Sequence, residues 1–193
     1  MLPEKDLRER YRGGASMRDI SLALGCSEHK VVYWMDKYGI KRRSISDAIY
    51  LKNNPNGDPF TVKMPRTKEE WRLYGLGVGL YWGEGNKASK NQVRLGNTDP
   101  YLIRVFLKFL TRICGVNPDD LCFNIQIFND LDPDVALSYW VNELGMKPEQ
   151  FYPPRVSPSQ STGTYKRRCL YGVLSVYYFN RNLQQWILKQ LPR

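Results

Sequence analysis

The stretch Leu73-Tyr74-Gly75-Leu76-Gly77-Val78-Gly79-Leu80-Tyr81-Trp82-Gly83-Glu84-Gly85 decides how the larger part of the chain is read. Its apolar content predicts a helix over 68–85. Gly75, Gly79 and Gly83 recur every four residues, so on a helix they fall on one stripe. A helical glycine costs about 1 kcal/mol relative to alanine. Three on one stripe therefore imply an offsetting contact, and the close approach of a second helix backbone is the natural one. A glycine-paired membrane helix does not fit. A span needs about 20 apolar residues, and this run meets Glu84, Asn86 and Lys87 at once.

Elements downstream follow from pattern and punctuation. Gln92 to Asn97 reads as a strand. Asp99 caps a helix that opens with Pro100 and runs through Phe106, Phe109 and Ile113 to Gly115. Leu121 to Phe128 alternates, with Leu121, Phe123, Ile125 and Ile127 on one face and Cys122, Asn124, Gln126 and Phe128 on the other. Asp132-Pro133 starts a further helix that ends at Gly145. A polar, proline-containing stretch covers 153–168. Leu170 to Phe179 reads as a strand and Asn182 to Leu191 as a closing helix.

The glycine-lined segment resembles the LAGLIDADG motif of homing endonucleases. Gly77 falls at the motif's first position and Glu84 at its second acidic position, while Gly79, Leu80 and Gly85 match outright. Gly83-Glu84-Gly85 looks like the Gly-Glu-Gly variant. The motif's first acidic position is Trp82 here, and the helix near 133–145 has no counterpart in the family's simple repeat. The resemblance spans roughly 68–191 and is specific around 75–85. It implies an α+β domain in which a helix-backed antiparallel sheet forms a saddle on double-stranded DNA. It implies a homodimer joined through Gly75, Gly79 and Gly83, since only one motif copy is present and two strands must be cut. It also implies Mg²⁺ held by Glu84, with the Gly83 carbonyl nearby, which agrees with the oxygen ligands that metal-assisted phosphodiester hydrolysis needs. Candidates for the DNA-facing side of that sheet are Lys87, Arg94, Asn124, Gln126, Lys166, Arg167 and Arg168. Gln126 or a neighbouring cation is placed to orient the attacking water or stabilise the reacting phosphate.

Upstream, residues 1–52 read as an all-α domain. Leu7 and Tyr11 share a helix face ahead of Gly13-Gly14. Ser16 caps a helix holding Ile20, Ala23 and Leu24, which Gly25 ends. Ser27 caps a third helix with Val31, Trp34, Met35 and Tyr38 on one face, ended by Gly39. Leu24-Gly25-Cys26-Ser27 resembles the turn in the helix-turn-helix of resolvases and small bacterial regulators, departing at Ser21, where alanine is frequent. In such motifs the second helix enters the major groove. That places Glu28, His29, Lys30, Tyr33 and Lys37 toward DNA, with Lys30 and Tyr33 at base edges, and Lys41, Arg42 and Arg43 toward phosphates. The turn-rich stretch 53–67 reads as a linker to a second domain over 68–193.

Composition narrows the function classes. A net charge of +10 is unevenly spread, because no Asp or Glu occurs from Gln150 onward while seven Lys and Arg do. Tyrosines are interleaved with those cations, which points to nucleic acid. The 4 cysteines form no CxxC pair and His29 is the single histidine, so neither a zinc finger nor a His-based triad is expected. Scattered thiols and the charged start Met1-Leu2-Pro3-Glu4-Lys5-Asp6 suggest a cytoplasmic protein. Asp130, Asp132 and Asp134 invite a metal reading, but Asp132-Pro133 and Asp99-Pro100 both fit helix starts better. The leading expectation is a Mg²⁺-dependent DNA endonuclease with a site-choosing helix-turn-helix. The alternative is a transcriptional regulator that binds DNA without cutting it.

Overall fold

A computed structural model describes residues 1–158 and 169–192. The chain divides into two compact units, Met1–Pro59 and Phe60–Arg193.

The first unit is helical: α1 (Glu4–Arg12), α2 (Met17–Ala23), α3 (Glu28–Lys37) and α4 (Ile45–Asn53). Its helix starts are those the capping residues specify. The Ser16 hydroxyl accepts the Asp19 amide at 3.1 Å while the Asp19 carboxylate accepts the Ser16 amide at 2.9 Å. At the starts of α3 and α4 the Ser27 and Ser44 hydroxyls accept the Lys30 and Asp47 amides. Between α2 and α3 the chain turns at Gly25, with φ 57°, a left-handed conformation that a side chain would strain. Leu7, Ile20, Val31 and Met35 are fully buried, joined by Leu2 and Ile40. Helix α4, which sequence reading did not resolve separately, buries no residue.

The second unit begins earlier than the expected linker end. Phe60 and Val62 pack on its core, and the Lys63 amide donates to the Ile113 carbonyl at 2.8 Å. Gly115, at φ 68°, leaves room for the Thr61 backbone, which a Cβ there would overlap. Polar composition over 53–67 thus hides the end of α4 and a docked segment, and only the short piece near 54–59 connects the units.

From there the order is α5 (Lys68–Glu84), β1 (Val93–Asn97), α6 (Pro100–Lys108), β2 (Cys122–Phe128), α7 (Pro133–Leu144), β3 (Arg155–Ser157), β4 (Val173–Tyr178) and α8 (Arg181–Gln190). A π-helical turn at Phe109–Ile113 extends α6. Asp99 and Asp132 cap α6 and α7 through their carboxylates, ahead of proline at the first helical position. Asp132 is therefore occupied as a cap, and among the described residues no group of three or more His, Cys, Asp or Glu gathers. The four cysteines are free thiols. No helix is long and apolar enough to cross a membrane among the described residues.

The strands form one sheet in the order β1-β4-β2-β3. β4 is antiparallel to β1 and β2, but β3 runs parallel to β2, so the sheet is mixed rather than antiparallel. The reason is the insertion of α7 between β2 and β3. A helical crossover returns the chain to the end where it started, which a hairpin cannot do. One sheet face (Val93, Leu95, Phe123, Ile125, Ile127, Leu174, Val176, Tyr178) packs with Tyr81, Ile103, Phe106, Trp140, Leu183 and Ile187 from α5, α6, α7 and α8. With every helix contributing to that one core, the opposite face carries the polar side chains of the alternating strands.

Candidate nucleic-acid interface

Two surfaces collect the residues singled out in the sequence, one in each unit. On the first unit, Glu28, His29, Lys30, Tyr33 and Lys37 all lie exposed on α3, while Val31 and Met35 on its other side are buried. The Lys37 ammonium sits 5.0 Å from the Trp34 ring centre and 5.9 Å from that of Tyr33, which steadies both over the exposed face. Lys41 is exposed, and Arg42 approaches Asp36 at 3.8 Å. Arg43 departs from its expected role as a phosphate contact. Its guanidinium donates to the carbonyls of Tyr11, Gly14 and Ala15 and lies 3.9 Å from the centre of the Tyr11 ring. A cation so committed ties the α1–α2 turn to the chain after α3 and has few donors left for DNA.

In the second unit, α5 delivers Glu84 to the sheet edge. Helix α5 packs through Gly77, Val78 and Tyr81. Gly77 is where Phe109 sits, since a Cβ there would overlap the Phe109 ring. Gly85 ends the helix in extended conformation and bridges to Leu95 on β1, and a Cβ at Gly85 would collide with Tyr81. The Asn86 amide then donates to the Arg94 carbonyl at 2.8 Å, and the Tyr81 hydroxyl to the Asn86 carbonyl at 2.8 Å. Gly-Glu-Gly therefore does local work: the glycine after Glu84 lets the helix end press onto β1, so the carboxylate emerges over the polar sheet face.

There Glu84, Asn86, Arg94, Gly96, Gln126, Val173 and Ser175 line one open cleft of about 360 Å³. Glu84 is exposed and makes no hydrogen bond or ion pair among the described residues. The strand register orders the rest into rows across the sheet. Gly96, Ser175 and Asn124 lie side by side, as do Val173, Gln126 and Arg155. The Asn124 amide reaches the Pro153 carbonyl and the Gln126 amide the Ser157 hydroxyl, both at 3.5 Å, weak contacts that leave these side chains largely free. Lys87 is exposed in the turn that Asn86 organises by accepting the Ala88 and Ser89 amides at 3.0 Å.

Glu84, Arg94 and Gln126 were singled out from separate segments, and the fold brings all three to one cleft. Asn124 lies on the same face, next to Ser175. Lys166, Arg167 and Arg168 lie outside the described residues. Sequence reading missed Asn86, Ser175 and Arg155. The alternation of 173–178 carries the signal for Ser175, whereas β3 is three residues long inside a proline-containing stretch and shows no periodicity to read.

Chemically, the cleft offers oxygen donors (the Glu84 carboxylate and the Gln126 amide oxygen) beside the Arg94 guanidinium. Such donors suit a hard divalent cation, and the guanidinium suits a phosphate. Glu84 is the one carboxylate among the described lining residues, so a single chain supplies only part of a six-coordinate shell. The other α5 glycines behave differently from Gly77: nothing lies within 4 Å of a Cβ built at Gly75, Gly79 or Gly83. Their stripe is open and flanked by Trp71, 51% exposed, and Trp82, 57% exposed.

The structure defines an α+β protein: a helical unit holding a helix-turn-helix pair, followed by a unit in which helices cover one face of a four-stranded mixed sheet. No protein-family model, curated protein or solved structure matches the chain.

Proposed function

We propose that the protein is a DNA-binding protein of LAGLIDADG type that recognises duplex DNA through α3 and the polar sheet face, and cleaves it with a divalent metal held at Glu84. The observation that carries this reading is the shared cleft of Glu84, Arg94 and Gln126, with a free carboxylate at a glycine-flanked helix end. The metal, Mg²⁺ in this reading, supplies Lewis-acid assistance and lowers the pKa of a bound water. Glu84 and the Gly83 carbonyl would hold it, Arg94 would bind a phosphate oxygen, and Gln126 would orient water by hydrogen bonding. The open stripe of Gly75, Gly79 and Gly83 receives the same stripe of a second copy, which brings a second Glu84 and completes the donor set.

A second reading has its own support. With one carboxylate in the cleft, a chain that binds DNA without cutting it, as a transcriptional regulator, would use the same helix-turn-helix and the same dimer stripe. Incubating a randomised duplex library with Mg²⁺ and with EDTA, using the wild type and Glu84→Gln, separates the two. The endonuclease reading expects metal-dependent cutting that Glu84→Gln abolishes. Selective binding with no cutting in Mg²⁺ or Mn²⁺ overturns it in favour of the regulator.

A further inference from the structure

The far end of the polar sheet face, past Arg94, is aromatic. β4 presents Val173, Ser175 and Tyr177 to that face, and Phe179 continues the alternation just beyond the strand. The Tyr177 and Phe179 rings lie near-parallel, 16° apart with centroids separated by 5.9 Å. In the neighbouring strand Cys122 stands opposite Tyr177, and beside it the Tyr152 amide donates to the Phe123 carbonyl at 2.8 Å, while Phe151 stacks on Phe123 on the core side and so leaves Tyr152 to the polar face. On the other side the Arg94 guanidinium lies over the Tyr177 ring at 5.1 Å. Phe179 is 56% exposed and Tyr152 47% exposed, so two large aromatic side chains on this end of the face are largely open to solvent. Neither ring serves the core, and neither belongs to the Glu84 cleft.

Charge selects among the possible occupants. None of the four strands contains an Asp or Glu, and none occurs from Gln150 onward, whereas Arg94 and Arg155 stand on this sheet. An apolar peptide would gain nothing from that cation, and an acidic peptide would have no use for the flat rings. A strand of unpaired nucleotides needs both: aromatic faces for its bases and guanidinium for its phosphates. Bases inside a duplex are already stacked on each other and cannot use such a surface, so the occupant is single-stranded or locally opened.

We infer that Tyr152, Tyr177 and Phe179, with Arg94, form a stacking platform for unpaired bases of a nucleic-acid strand. Arg94 is the link between the two sites, since it lines the Glu84 cleft and covers Tyr177. A strand opened at the cleft would lay its unpaired bases on Phe179 and Tyr152 while its phosphate meets Arg94. The inference rests on the nucleic-acid reading of this chain, but not on Glu84 cutting.

The test uses the full chain at one fixed salt concentration. A fluorescent oligothymidylate of about twelve nucleotides is compared by anisotropy with an abasic strand of the same length, which has the same phosphates and no bases. The platform expects the thymidylate to bind about fivefold tighter or more. Phe179→Ser and Tyr152→Ser, both at exposed positions, should each reduce thymidylate affinity toward that of the abasic strand, and Phe179→Trp should restore it. Equal binding of the two strands, or a Phe179→Ser chain that keeps full preference, overturns the platform. A labelled duplex titrated alongside keeps the two readings distinct. Duplex binding retained while the base preference is missing sinks the platform alone. Base preference without any duplex binding sinks the duplex reading alone. A chain that binds none of the probes refutes both.

Discussion

Gly77 and Gly79 are two residues apart on α5 and have opposite physical roles. Gly77 is a fit: Phe109 occupies the space of its missing side chain. Gly77→Ala therefore forces the ring aside and is expected to destabilise the second unit by about 1–3 kcal/mol, the usual cost of overpacking. Gly79 faces open space, so Gly79→Ala removes only a helix penalty. At concentrations low enough to keep the chain monomeric, it is expected to stabilise by about 0.5–1 kcal/mol. Urea unfolding followed by tryptophan fluorescence reads both, and equal effects in the same direction would contradict these roles. Arg43 makes a similar point in the first unit. Its planar fork donates from two nitrogens to three carbonyls and stacks on the Tyr11 ring, a geometry a lysine ammonium does not reproduce, so Arg43→Lys is expected to cost about 1–3 kcal/mol of helical-unit stability. Lys41→Ala, at an exposed site, should leave stability unchanged and, on the proposed DNA-binding reading, lower the salt dependence of binding by about one phosphate contact.

At the scale of elements, helix starts were legible because they are local. Ser16, Ser27, Asp99 and Asp132 cap as the sequence indicates, each bonding amides two or three residues on. The start of α5 adds a titratable part. Glu70 accepts the amides of Arg66 and Thr67, and these bonds hold its carboxyl below the usual value of 4.5. A group whose pKa is depressed by folding stabilises the fold above its unfolded value and loses that contribution as pH falls through the folded one. The thermal unfolding midpoint should thus fall as pH drops below about 4.5, and Glu70→Gln should flatten part of that fall. Glu70→Gln with an unaltered profile would remove the capping carboxylate from the account. What local pattern did not reveal was β3. Three residues give no alternation to detect, and β3 exists because β2 offers an edge and α7 carries the chain back to it.

Over the whole molecule, two clusters of buried residues lie in two separate units. A fragment of residues 60–193 is accordingly expected to keep the amide spectrum that those residues show in the full chain. Large shifts in the resonances of the sheet would mean that the units do not fold separately. The open glycine stripe of α5 belongs to this scale as well. If the proposed dimer forms through this stripe, Gly79→Leu should abolish it in sedimentation velocity with the amide dispersion of the helical unit intact, and a variant that still dimerises would place the interface elsewhere. The sequence by itself determined the capped helix starts, the pair of helices joined at Gly25 and the inward and outward faces of β2, because caps, glycines and alternation act over a few residues. Tertiary structure alone decided the strand order, the parallel β3, the engagement of Arg43 and the meeting of Glu84 with Arg94 and Gln126. Those depend on which distant segments pack side by side, and that is settled by the joint burial of apolar faces, not by any short stretch of chain.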